Sequence, residues 1–269
     1  MYLKKKLGQH FLVDQNILRK IVAIPSLTEE TLVIEIGPGM GSLTEHLMAQ
    51  SKHVLAYEID TDLIPILNKT FKGMNISVKN KDFLKCNIDE DIEELGISYD
   101  KVVVVANLPY YITTPIIMKI IEESTKVKEM VLMMQLEVAR RLTSKPSTKD
   151  YNSLSIAIQY KTKAEIALKV PRTVFIPAPN VDSAIVKLTV KDQLEVFPDN
   201  QELFYRIVRS SFSQRRKTLV NNLYATLNLP KASAIEMLEE LGYNPQARAE
   251  SLSVNDFIRI SDYINKIKV

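Results

Sequence analysis

Four consecutive valines, Val102, Val103, Val104 and Val105, narrow what can surround them. β-branched side chains favour extended backbone, and a run that is apolar at every position reads as a strand buried on both faces. Such strands belong to largely parallel sheets covered by helices. Residues 31–190 agree, because strand-like and helix-like segments alternate along them. Residues 31–36, 54–59, 76–79, 101–106 and 129–135 read as strands, with two more expected near 154–160 and 184–190. Helices are expected over 42–50 and 61–71, from Pro115 through 124, and after the 129–135 strand through Arg141. Beyond about residue 191 only helical periods remain, over 201–224, 231–241 and 254–268. Ser251 or Ser253 suits the start of the last, and Gly242 the end of the second. The expectation is an α/β domain over residues 1–191 and a smaller all-helical domain over 192–269.

Composition excludes several classes. Apolar runs such as residues 130–134 fall far short of the roughly 20 residues a membrane span needs. No apolar signal core follows the basic Lys4, Lys5 and Lys6. One cysteine, Cys86, allows no internal disulfide and fits a reducing compartment. His10, His46 and His53 lack metal-ligand spacing with Cys86, so no metal is expected. The net charge of +3 is too small to indicate a nucleic-acid partner, but its distribution is more telling. Residues 203–222 carry Arg206, Arg209, Arg215, Arg216 and Lys217 with no acid among them, a pattern suited to phosphate. Pairing of Arg215 and Arg216 with Glu239 or Glu240 is the alternative.

Three of the seven glycines, Gly37, Gly39 and Gly41, follow the first strand. The backbone there must turn tightly and approach something closely. The spacing is G-x-G-x-G, whereas a dinucleotide loop prefers G-x-G-x-x-G, and Pro38 removes a donor that a phosphate would use. Glu58, at the end of the second strand, can take both ribose hydroxyls, and Asp82, beyond the third, can accept from an adenine amino group. Acids and glycines at three successive strand ends describe an adenosine site without phosphates. S-adenosylmethionine is the natural occupant and NAD the disfavoured one. Directly after the valine strand comes Asn107-Leu108-Pro109-Tyr110. An amide oxygen and nearby carbonyls can accept from an exocyclic amino group, while a tyrosine ring stacks on a base. The set suits chemistry on an adenine or cytosine amino nitrogen.

With these motifs in hand, the chain resembles the small-subunit ribosomal RNA adenine dimethyltransferases. The likeness runs through Lys6-Leu7-Gly8-Gln9-His10-Phe11-Leu12, Glu35 to Gly41, Asn107 to Ile112, Phe175-Ile176-Pro177-Ala178-Pro179-Asn180-Val181-Asp182-Ser183, and Ser211-Phe212-Ser213-Gln214-Arg215-Arg216-Lys217. The Asn-Leu-Pro-Tyr box with the Phe-x-Pro-x-Pro segment is its most specific part. It implies a Rossmann-like S-adenosylmethionine-dependent methyltransferase sheet with a helical C-terminal domain. It further implies N6 dimethylation of two adjacent adenosines in the 3′-terminal hairpin loop of small-subunit rRNA. By resemblance, cofactor contacts fall on His10, Leu12, Gly37, Gly39, Glu58, Asp82 and Asn107. Catalysis falls on Asn107, Leu108, Pro109, Tyr110 and Phe175, the last either stacking on the flipped base or lying in the core. The implied partner is rRNA in a pre-ribosomal small subunit, met by a cytoplasmic monomer. Two rival readings remain: a large-subunit rRNA adenine methyltransferase of the antibiotic-resistance type, and a non-catalytic RNA-binding assembly factor. DNA adenine methylation is a weaker third.

Overall fold

The computed structural model describes residues 11–12, 14–109, 111–192 and 196–267. Its first half runs β1 (Phe11–Leu12), α1 (Gln15–Ala23), β2 (Thr31–Ile36), α2 (Ser42–Met48), β3 (His53–Tyr57), α3 (Ile64–Thr70), β4 (Ile76–Lys79), α4 (Ile88–Glu93), β5 (Lys101–Asn107) and α5 (Thr113–Glu123). The second half runs β6 (Val127–Gln135), α6 (Leu136–Thr143), α7 (Ser153–Lys161), β7 (Thr162–Val170), β8 (Phe175–Ile176), β9 (Ser183–Val190), α8 (Gln201–Ser211), α9 (Leu219–Leu227), α10 (Lys231–Glu240) and α11 (Val254–Ile267).

Seven strands form one sheet in the order β4-β3-β2-β5-β6-β9-β7. Neighbouring strands from β4 through β6 pair in parallel, and β9 is antiparallel to β6. The valines of β5 are fully buried, as a central strand covered on both faces requires. The chain steps from β2 outward to β3 and β4, then returns to the other side of β2 with β5. That reversal opens a crevice at the carboxyl ends of β2 and β5, where open α/β sheets bind ligands.

The chain divides into two compact units, one of residues through Ala139 with Lys163–Val190, the other of Arg140–Thr162 with the residues from Lys191 onward. The first packs Val33, Val54, Val103, Val105, Val131 and Ile185 of the sheet against Leu18, Leu47 and Leu67. The second is helical, with Phe204, Leu223, Leu238 and Phe257 at its core.

Two expectations need correction. Residues 154–160 are not a strand but α7, started by Asn152, whose side chain accepts from Leu154 and Ser155 in a capping box. Alternation along Ile156, Ile158 and Tyr160 mimics a strand period, yet all three are buried on a helix, and Ile156 and Tyr160 belong to the helical core. The strand lies just beyond, in β7. The expected helix over 201–224 is likewise broken. It ends at Ser211 and restarts at Leu219 under a Thr218 cap, while Asn222 donates to the carbonyls of Ser211 and Gln214 and holds the turn between. For the last helix, Ser253 and Asp256 exchange hydrogen bonds at its start, and Gly242 follows α10 with φ +81°.

Candidate active site

The loop after β2 uses its glycines for different ends. Gly37 has φ +71°, and a Cβ built on it would meet nothing within 4 Å, because it faces open space. Gly41 has φ +86°, and a Cβ there would lie 2.5 Å from the Phe71 ring. One glycine keeps a pocket open and the other lets the loop pack. The three glycines' backbone donors are consumed internally. Gly37 N–H donates to the Tyr57 carbonyl at 2.9 Å, Gly41 N–H to the Pro38 carbonyl at 2.9 Å, and Gly39 N–H to Glu58 Oε2 at 3.1 Å. Pro38 has none to give, so the loop is poorly equipped to cradle pyrophosphate.

Glu58 follows β3 and is only 4% exposed. Its second oxygen, Oε1, accepts the Asp60 N–H at 2.8 Å. Burial raises its pKa, and the backbone donors of Asp60 and Gly39 offset part of the rise. A carboxylate clamped this way presents its remaining lone pairs in a fixed direction. Asp82 lies beyond β4 and accepts the Leu84 N–H at 3.1 Å, which pins it at the head of a short turn. At the floor, buried Glu35 accepts the Thr44 hydroxyl at 2.6 Å. Burial pushes Glu35 up to about 8, against the pull of Thr44 and with a further push from Glu58.

These groups meet in one pocket of about 340 Å³. Its walls bring together Leu12, Gly37, Gly39, Glu58, Asp82, Asn107, Leu108, Pro109 and Phe175, all singled out from sequence. Phe175 is at once a pocket wall and a core residue. The assignments to His10 and Tyr110 lie outside the described residues. Sequence reasoning did not reach Leu18, Tyr57, Ile59, Lys81 and Phe83, which also line the pocket. An apolar residue directly after Glu58 was the one local signal, since Ile59 is half exposed beside that acid.

The residues fit S-adenosylmethionine: open space above Gly37, a clamped carboxylate for ribose hydroxyls, Asp82 for an amino group, and acids without a phosphate cradle. Fold and pocket together define an S-adenosylmethionine-dependent methyltransferase. The family model described as ribosomal RNA adenine dimethylase matches residues 2–266, and the chain belongs to that family. It is 50% identical to "Ribosomal RNA small subunit methyltransferase A" of Bacillus pumilus, over 98% of this chain and 91% of that one. A crystal structure of a dimethyladenosine transferase from Plasmodium falciparum superposes with TM-score 0.81 at 30% identity, covering 97% of this chain and 99% of the other. That of the 23S rRNA methyltransferase ErmE gives 0.71 at 26%, covering 95% and 99%.

In the helical unit, Arg206 and Arg209 are exposed on α8, and Arg215, Arg216 and Lys217 are exposed in the turn after it. Arg215 does not pair with Glu239 or Glu240. Its Nε lies 3.2 Å from Glu250, and its guanidinium also donates to the Lys149 carbonyl. Glu240 instead accepts the Tyr263 hydroxyl at 2.7 Å.

Proposed function

We propose that this enzyme transfers methyl groups to the N6 amino groups of two adjacent adenosines in the 3′-terminal hairpin loop of small-subunit rRNA, leaving each dimethylated. The observation that carries the reading is the opening of the Asn107-Leu108-Pro109 turn into the same pocket as Glu58 and Asp82. Identity of 50% to a relative named for the small subunit, against 26% to a 23S enzyme, supports the choice of RNA.

S-adenosylmethionine, when bound, supplies an electrophilic methyl group. The protein's task is to make a poor nucleophile attack it. An adenine N6 lone pair is delocalised into the ring. The Asn107 side-chain oxygen and the Leu108 carbonyl accept hydrogen bonds from the two amino hydrogens, which favours a pyramidal nitrogen with its lone pair localised. Pro109 stiffens the turn that presents both acceptors. Such orientation can supply several of the roughly 7–11 kcal/mol available from positioning. The two acceptors also hold the amino hydrogens while the nitrogen would take up the methyl group, and the surplus proton would leave to water, with no protein base required. Phe175 stacks on one face of the flipped base and Tyr110 on the other, each worth about 1–3 kcal/mol. Arg206, Arg209, Arg216 and Lys217 hold RNA phosphates, with Arg215 contributing less because Glu250 already opposes its charge.

The substrate is read as rRNA within an immature small subunit, the enzyme as a cytoplasmic monomer. Incubating the protein and labelled S-adenosylmethionine with immature small subunits and, separately, with large-subunit RNA tests the reading. Label in small-subunit rRNA alone is expected, whereas label only in large-subunit RNA would transfer the enzyme to the other branch. Sedimentation of the purified protein tests the monomer.

A further inference from the structure

Asp91, on α4, is a buried carboxylate, 3% exposed, that does not itself line the pocket. Three donors converge on it. The Tyr57 hydroxyl donates to Oδ2 at 2.9 Å, and Lys79 Nζ and Lys81 Nζ approach Oδ1 at 2.5 and 2.8 Å. Lys79 is shared with Glu94 at 2.5 Å. Two of these donors are pocket walls. Tyr57 immediately precedes Glu58, and Lys81 immediately precedes Asp82. The Tyr57 ring also meets a third wall, Phe83, edge-on with centroids 5.1 Å apart.

We propose that Asp91 is a positioning residue that fixes the end of the pocket formed by Glu58 and Asp82, acting through Tyr57 and Lys81. The inference rests on the cofactor reading above. Burying a carboxylate is costly unless charged donors compensate it, and one compensated by donors from β3, β4 and the turn after β4 ties those segments together. Its Oδ1 takes the Lys81 ammonium at 2.8 Å, whereas the cation beside Asp82 is Lys85, at 3.8 Å. Burial alone would raise the Asp91 carboxyl, yet bonds from Lys79, Lys81 and Tyr57 hold it below the usual range, so it stays charged.

The test compares binding of S-adenosylmethionine and of 5′-methylthioadenosine, which shares the nucleoside but lacks the amino acid, by calorimetry on the whole protein. In Asp91→Asn both ligands are expected to weaken by the same factor, about tenfold. Turnover at saturating cofactor should stay within about twofold of the parent, the KM effect of a misplaced wall rather than of lost chemistry. Unchanged affinities overturn the inference, and so does a loss confined to S-adenosylmethionine. If Asp91→Asn does not fold, Tyr57→Phe decides: weaker binding of both ligands is expected, and parental affinity for both overturns the role. A parent protein that binds neither ligand sinks the cofactor reading and this inference together. A parent that binds both, with variants that match it, sinks the inference alone.

Discussion

Glu58 and Gly39 meet at 3.1 Å, carboxylate oxygen to backbone N–H, and this bond ties the end of β3 to the glycine loop. The same acid is therefore loop brace and ligand group. Glu58→Ala removes both roles, and S-adenosylmethionine affinity should fall by about 1.5–3 kcal/mol, or roughly 10- to 150-fold in Kd. Calorimetry measures it directly.

Gly37 and Gly41 should respond differently to the same substitution. Both hold positive φ, so Ala costs roughly 1–2 kcal/mol of stability at either from backbone strain. At Gly41 the new Cβ also collides with Phe71, adding an overpacking cost of about 1–3 kcal/mol. At Gly37 it projects into open space and obstructs ligand instead. Denaturant melts paired with cofactor titrations should find Gly41→Ala mainly destabilised and Gly37→Ala mainly deficient in binding.

Glu35 makes stability depend on pH. Its folded pKa of about 8 lies well above the ordinary glutamate value of 4.5, so the folded protein retains a proton that the unfolded chain releases. Stability therefore falls as pH rises through that window. Glu35→Gln preserves the neutral shape and an acceptor for Thr44. It should match the parent near pH 4 and exceed it at pH 8 by on the order of 4 kcal/mol. Urea unfolding at both values checks the sign.

Arginines in the turn after α8 should separate by salt dependence. Arg216→Ala should reduce the slope of log affinity against log salt for rRNA by about one. Arg215→Ala should change it less, because Glu250 already sits 3.2 Å from that guanidinium. Filter binding across a salt series distinguishes them.

What could be read from the chain was local. The valines of β5, the glycine loop and the Asn107 turn are contiguous, so composition and spacing announce them. Glu58 and Asp82 followed from the ends of neighbouring strands. Contributions made across the fold were not legible: Leu18 reaches the pocket from α1, and Asp91 reaches Tyr57 and Lys81 from α4. In α7, the alternation of Ile156, Ile158 and Tyr160 was outweighed by the Asn152 cap and the helical core, which local period does not record. The break after Ser211 rests on side-chain capping by Asn222 from eleven residues away, again invisible to periodicity.

The central claim is that the turn bearing Asn107 activates an adenine amino nitrogen. Its most direct test is mass spectrometry of small-subunit rRNA after incubation with isotopically labelled donor at saturating concentration, comparing the parent with Asn107→Ala. The account predicts two adjacent adenosines carrying labelled methyl groups with the parent, and a rate lower by about a hundredfold or more with a variant that keeps its fold. Methylation by Asn107→Ala at close to the parental rate would contradict it.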